Sequence, residues 1–291
     1  MIYILFNKLA NNGKCENTAD GLTSKFGENE SQKISYIGLN MTDFFSELSE
    51  SDKVILCGGD GTLNRFANDT DGLRIPCDVF LYKAGSGNDF LRDVGSEAVD
   101  DMVQINEYLE NLPTATVNGN SYKFINGVGY GIDGMVCQKA DDMKVQGITD
   151  INYSSISIKL CLGGYKCPDA KITVDGVTKS YKKVWLAPAM NGRFYGGGMD
   201  VAPDQDRKSG KLTCVVWHGT GKLTTLMRFP GIFKGEHIKH KRMCDVLVGN
   251  EISVEFSLPT AMQIDGEVIR GVTKYTARSS ATVQKKETAK V

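Results

Sequence analysis

The sequence has no excess of charge of either sign: 34 Lys and Arg stand against 35 Asp and Glu in 291 residues, a formal net charge of -1. Chain-wide attraction to nucleic acid or to an anionic membrane is thereby excluded, and any such contact must come from a local patch. A long apolar run is also missing, since no window approaches the ~20 apolar residues that span a bilayer. The opening stretch MIYILFNKLANNGK is too short in apolar residues for a secretory signal, and no small-residue cleavage pattern follows it. A cytoplasmic protein is expected. Eight cysteines (Cys15, Cys57, Cys77, Cys137, Cys161, Cys167, Cys214, Cys244) lie scattered without a CxxC. Their apolar surroundings, such as VILC and LTCVVW, point to buried free thiols rather than disulfides or zinc. Internal repeats and low-complexity tracts are absent too.

What is present is an ordinary soluble composition, 41% hydrophobic and 24% charged. Glycine is high, at 32 of 291 residues, against a usual frequency of about 7%. Tight turns or backbone-lined sites follow. The first third alternates strand and helix signals: IYILF, KISYI, a helical MTDFFSELSE, then VILC, a glycine turn, a helical TLNRFAND, and DVFLY. Such alternation predicts a parallel sheet with helices on its faces. Ligands of these sheets lie beyond the carboxyl ends of the strands. The GGDGT turn follows one strand and KAGSGNDF the next, so both face one edge.

A helix is expected over SEAVDDMVQINEYLENL, with the domain boundary near Pro113. Beyond it, VNGNSYKF and ITVDGVTKSYKKVWLA carry the Asn-Gly and Asp-Gly turns of hairpins. LTCVVW, ISVEFSL and AMQIDGEVI continue the strands, while IDGMVCQKADDMKV and TTLMRFPGIFKG look helical. The expected architecture is a nucleotide-binding α/β domain over residues 1–115 and a predominantly β domain over 116–275. The polar tail, 276–291, either frays or returns to the first domain.

The turn GGDGT lacks the GK[ST] of a Walker loop and is not GxGxxG. Backbone N–H groups at Gly58, Gly59 and Gly61, with a helix beginning near Thr62, suit phosphate oxygens. Asp60 at the centre has two readings. It is ordinary turn chemistry, or it holds Mg²⁺ that bridges carboxylate and phosphate.

With CGGDGTLNR, AGSGNDF, FINGVGYGIDGMV, NGRFYGGGMDVAP and QIDGE in this order, the sequence resembles the diacylglycerol kinase catalytic-domain family. That family includes bacterial lipid kinases and is related to sphingosine kinases. NKLANNGK at 7–14 resembles the family's N-terminal nucleotide loop, with Lys8 in place of its proline. The resemblance implies a fold like NAD kinase and phosphofructokinase, with the active site in the cleft between α/β and β domains. It also implies ATP-dependent phosphorylation of a lipid hydroxyl, diacylglycerol or a related lipid. Asn7, Ser35, Gly58, Gly59, Asp60, Gly61, Thr62, Asn64 and Ser86 would then line the ATP site, with Mg²⁺ at Asp60. Asp265 would accept the hydroxyl proton and Glu267 would contact nucleotide or metal. On spacing alone, Asp265-Gly266 reads first as an ordinary hairpin turn like Asp175-Gly176, and only the resemblance favours catalysis.

One segment departs from the family. Several bacterial members carry an Asp-Asp-Gly stretch that binds a structural Mg²⁺; here PDQDRKSGKL puts Lys208 and Ser209 in the acidic positions, and no metal is expected there. His237 and His240 lack a suitably spaced ligand partner and read as a solvated loop. The segment FKGEHIKHKR, beside the apolar LMRFPGIF, reads as a solvated charged face or as the one basic patch fit for transient contact with a membrane surface. The partners implied are a lipid substrate and that surface, not nucleic acid; a homodimer is allowed. The alternatives are a kinase for a soluble acceptor such as NAD, or a catalytically silent nucleotide- or lipid-binding module.

Overall fold

The strand β3 (Lys53–Gly58) is buried at every position after its lysine. A run apolar on both sides belongs to a parallel sheet covered on both faces, and that is where it lies. The computed structural model describes residues 1–8, 13–85, 87–95, 101–148 and 151–280. They form two compact units that divide between Asn111 and Leu112.

In the first unit β1 (Ile2–Phe6), β2 (Ser31–Ser35), β3 and β4 (Asp78–Lys83) are parallel, in the order β2-β1-β3-β4. Helix α1 (Lys14–Phe26) covers one face, packing Cys15, Ala19 and Leu22 on Ile4, Phe6, Ile55 and Cys57. α2 (Met41–Ser46) starts on Asn40, whose side chain accepts from the N–H groups of Thr42 and Asp43. α3 (Asp60–Asp69) and α4 (Asp89–Val94) follow the two glycine turns.

Of the helix expected over 96–112, the described part is helical over five residues only. Met102–Gln104 is strand β5, antiparallel to β4, and only α5 (Asn106–Glu110) is helical. Residues 96–100 lie outside the described residues. Sheet-edge pairing overrides helix propensity: Val103 and Ile105 are buried, at 1% and 0% exposure. Asn106 then continues the edge with its side chain, accepting from Val79 N–H at 2.8 Å and donating to Cys77 C=O at 2.9 Å.

The second unit is largely antiparallel β. In chain order its strands are β6 (Thr114–Val117), β7 (Asn120–Lys123), β8 (Gly127–Tyr130), β9 (Ala170–Val174), β10 (Val177–Tyr181), β11 (Val184–Leu186) and β12 (Ala189–Met190). Then come β13 (Phe194–Tyr195), β14 (Met199–Asp200), β15 (Leu212–His218), β16 (Cys244–Gly249), β17 (Glu251–Ile264) and β18 (Glu267–Arg278). The main sheet runs β11-β15-β12-β8-β17-β18-β6-β7. β18 carries residues 276–278 against β6, so this part of the tail belongs to the β unit's sheet; residues 281–291 lie outside the described residues. The sheet core gathers Tyr130, Phe256, Met262, Val272 and Tyr275, with Tyr130 stacked on Phe256 at 3.9 Å between ring centroids.

A helical layer packs on a second core. α6 (Ile132–Val145), α7 (Tyr153–Lys159) and α8 (Lys222–Arg228) bring Ile132, Val136 and Ile156 onto Trp185 and Trp217. α7 runs on into a π turn, Leu160–Gly164, and α8 into the 3₁₀ turns Phe229–Lys234 and Glu236–Lys239. All eight cysteines are free thiols and six are buried, as the sequence implies.

Candidate active site

Parallel register aligns Phe6, Ser35, Cys57 and Tyr82 as one row across β1, β2, β3 and β4. Asn7, Ser35, the turn starting at Gly58 and the turn starting at Ala84 therefore stand at the same carboxyl edge. This is the edge at which such sheets receive ligands. Ser35 Oγ is buried there without a hydrogen-bond partner.

The two glycine turns are built against each other. A Cβ on Gly85 would lie 2.3 Å from Gly59 Cα, and a Cβ on Gly58 would lie 2.4 Å from Thr62 Cβ. Internal packing alone thus demands Gly58, Gly59 and Gly85. Gly61 differs: it is exposed, its φ is not positive, and a Cβ there meets nothing within 4 Å. The fold has no use for a glycine at this position.

Asp60 ties the turns together. Its Oδ2 accepts from Asp89 N–H at 2.9 Å and its Oδ1 from Phe90 N–H at 2.8 Å. The carboxylate thereby caps α4, whose first N–H groups have no partner within the helix. Asn88, in left-handed backbone at φ 52, donates Nδ2 to Gly85 C=O at 2.6 Å. Thr62 and Asn64 are buried on the inner side of α3, at 6% and 9% exposure. Thr62 packs on Gly58, and Asn64 Oδ1 accepts from Asn68 Nδ2 at 3.3 Å. Ser86 lies outside the described residues.

These contacts separate two substitutions. Gly85→Ala drives a methyl into the Gly59 backbone and should destabilise the fold by about 1–3 kcal/mol. Gly61→Ala should leave the melting temperature unchanged or slightly raised, since alanine favours helix α3, yet weaken nucleotide binding. Thermal melts and ATP titration of both variants check this; wild-type ATP affinity in Gly61→Ala would remove that glycine from the site.

In the second unit, Asp265 and Gly266 form the two-residue turn between β17 and β18, with φ 46 and 98. Asn118-Gly119 and Asp175-Gly176 make the same left-handed turns in other hairpins. The Asp265 carboxylate accepts three backbone N–H groups: Ile125 at 2.5 Å, Asn126 at 2.9 Å and Gly127 at 3.0 Å. The same short segment is held from its carbonyl side. Arg207 Nη1 and Asn191 Nδ2 donate to Ile125 C=O at 2.6 and 2.9 Å, and Arg207 Nη2 donates to Asn126 Oδ1 at 2.5 Å. Gln205 Nε2 donates to the carbonyls of Asn191, Asp206 and Lys211. FING, NGR, PDQDR and QIDGE, far apart in the chain, thus meet around one carboxylate. Glu267, the first residue of β18, is exposed.

Sequence reasoning missed Arg207, Asn191 and Gln205. Arg207 sits beside Lys208 in a segment read only for the acids it lacks. Asp206 there accepts from Lys208 N–H at 2.9 Å and starts the 3₁₀ turn. Asp133 was missed as well. It is 8% exposed, Tyr195 donates to its Oδ2 at 2.7 Å, and its Oδ1 has no partner. Burial pushes its carboxyl up to about 6.

His237 corrects an expectation. It is not in a solvated loop but 1% exposed, stacked over Trp217 with 6.1 Å between ring centroids, and its Nε2 lies 2.9 Å from Val201 C=O. Burial lowers its pKa and favours the neutral ring. Stacking on Trp217 draws the imidazole inward, and the Val201 carbonyl satisfies one nitrogen. Among the described residues no group of three or more His, Cys, Asp or Glu is gathered to hold a metal.

The comparisons with known proteins meet this geometry. The diacylglycerol kinase catalytic domain matches residues 1–117, and the YegS C-terminal NAD kinase beta sandwich-like domain matches residues 126–281. The chain belongs to the diacylglycerol kinase catalytic-domain family. Its class is that of the lipid kinases. A relative, the diacylglycerol kinase of Mycobacterium tuberculosis, is 25% identical over 248 residues, covering 81% of this chain and 79% of that protein. Crystal structures from Bacillus anthracis str. Sterne share the fold. One superposes with a TM-score of 0.66 at 17% identity, covering 96% of this chain and 92% of the other. A second, of a diacylglycerol kinase, gives 0.60 at 16% identity, covering 96% and 94%. In this lipid-kinase family member the α/β unit carries the glycine turns, and the antiparallel unit carries the Asp265 network.

Proposed function

We propose that this lipid kinase transfers the γ-phosphate of ATP to the hydroxyl of diacylglycerol or a related membrane lipid, from the cytoplasmic side of the membrane surface. The observation that carries the reading is Gly61, an exposed glycine at the start of α3 that the fold does not require, beside two turns fixed against each other. The residues fit the nucleotide. Backbone N–H groups at the start of α3 are unpaired within the helix and suit phosphate oxygens, and Asn7 and Ser35 stand at the same edge. Mg²⁺ commonly uses one or two carboxylates plus the substrate's phosphates, and Asp60 is the carboxylate at hand.

When bound, Mg-ATP supplies the phosphoryl group, and the metal offsets charge on its oxygens. Asp60 keeps α4 and its turn in place relative to α3. Asp265 receives the proton of the lipid hydroxyl, at an oxygen fixed by backbone amides. Phosphoryl transfer depends chiefly on positioning and charge stabilisation, and a carboxylate pinned by three N–H groups is well positioned. Glu267, next along the hairpin, contacts nucleotide or metal.

Asp60→Asn keeps one acceptor for α4 and loses the other with its charge. The expected result is weaker Mg-ATP binding and a higher Mg²⁺ requirement; unchanged values in both titrations would reduce Asp60 to a helix cap. The function itself is tested by phosphate transfer from ATP over a panel of lipids, with NAD as a soluble acceptor. Transfer to diacylglycerol or a related lipid is expected. Transfer to NAD alone would overturn the assignment.

A further inference from the structure

Apolar side chains that face solvent are concentrated on the helical layer of the β unit. On α7 and its π turn, Tyr153, Ile158 and Leu162 are exposed by 47%, 47% and 55%. On α8 and the turn after it, Leu223, Met227 and Phe233 are exposed by 69%, 65% and 49%. Both segments already bury an inner stripe, with Ile156, Leu160 and Cys161 on one and Thr225 and Ile232 on the other. Phe229, four residues before the basic segment, is turned inward against Trp217 at 6.4 Å between centroids. The outer residues are therefore additional to what the core needs. Leu223 and Met227 are four apart and stand on one side of α8.

The two segments form one surface. Lys222 Nζ donates to Leu162 C=O at 3.1 Å, and Cys161 Sγ donates to Lys222 C=O. Arg228 Nη1 lies 3.5 Å from His240 Nε2, which joins α8 to the basic segment. Charge on this surface is one-sided: residues 153–166 hold two lysines and no acid, and residues 222–242 hold six Lys or Arg and one acid, Glu236. In a chain of net charge -1, this is the local patch that long-range attraction needs.

We infer that this layer docks on an anionic phospholipid bilayer, with Leu162, Leu223, Met227 and Phe233 entering the headgroup region while Lys159, Lys222, Lys239, Lys241 and Arg242 meet lipid phosphates. Exposed apolar residues ringed by bases match a surface that is apolar beneath and negative above. The inference deepens the lipid-kinase reading, and its test does not depend on catalysis.

The experiment is co-sedimentation of the full chain, without nucleotide, with vesicles of phosphatidylcholine alone or of equal parts phosphatidylcholine and phosphatidylglycerol. Wild type should pellet with the mixed vesicles, less so at high salt. Leu223→Ser with Met227→Ser should lower the partition coefficient by roughly tenfold or more. Lys239→Gln with Lys241→Gln and Arg242→Gln should lower it and flatten its salt dependence. All five positions are exposed, and melting curves confirm folding. Equal pelleting of the serine variant, or no preference of wild type for the anionic vesicles, overturns the inference. So does a dimer, seen by sedimentation velocity, that the serine substitutions dissolve. Transfer to short-chain diacylglycerol in detergent, assayed separately, distinguishes the two readings. Transfer without vesicle binding removes the docking surface alone, and vesicle binding without transfer to any lipid removes the kinase assignment alone.

Discussion

Asp265→Asn should lower turnover by roughly 10²- to 10⁴-fold while ATP affinity stays near that of wild type. The structure supplies its own control. Asp175 occupies the same left-handed position in another Asp-Gly turn, at φ 48, and its carboxylate also accepts backbone N–H groups, those of Asn250 and Glu251. Asparagine tolerates that backbone and keeps one acceptor oxygen at either site. At Asp175 one oxygen, Oδ1, already accepts from both amides in an exposed turn, so asparagine there keeps both bonds. At Asp265 asparagine leaves at least one of three part-buried N–H groups unmet, at about 1–3 kcal/mol. Asp175→Asn should leave turnover unchanged and the melting curve near that of wild type, while Asp265→Asn loses both stability and turnover. Equal turnover in the two variants would leave Asp265 as a hairpin brace like its counterpart.

The second large effect concerns Asp133. Its carboxyl is raised from an ordinary 3.8 to about 6 because burial disfavours the charged form, against a smaller opposing effect of the Tyr195 hydroxyl. Between those two values the folded protein holds a proton that the unfolded chain has released. Stability must fall as pH rises through that window and level off above it. A shift of this size corresponds to roughly 3 kcal/mol. Asp133→Asn carries no such proton and keeps an acceptor for Tyr195. Relative to the variant, wild type should lose roughly 2 kcal/mol between pH 4 and pH 7.5 in urea unfolding. Parallel pH profiles would mean that Asp133 titrates normally in the folded protein.

Local signals carried most of the architecture. Continuous apolar runs placed β1, β3 and β4, and Asn-Gly and Asp-Gly pairs placed three hairpins, because each of those patterns is decided within a few residues. β5 was not legible, since Met102–Gln104 becomes a strand only by pairing with β4. The candidate site divides in the same way. GGDGT and QIDGE stand out in the sequence, but their contacts span the fold. Asp60 acts on amides about thirty positions away, and Asp265 on amides separated from it by about 140. His237 read as solvated because its neighbours in sequence are charged, whereas its neighbours in space are Trp217 and Val201.

The free thiols give the chain a built-in clock for its own opening. Burial pushes Cys57 up to about 12 and Cys77 to about 11 in the α/β unit, and Cys244 to about 12 in the β unit. Since the thiolate is the reactive form, a maleimide at neutral pH should modify these sulfurs only when their surroundings open. Cys15, Cys57 and Cys77 would time the α/β unit, and Cys161, Cys214 and Cys244 the β unit. Peptide-resolved labelling would then show which unit loosens first on warming, and whether nucleotide slows one set of cysteines and leaves the other untouched.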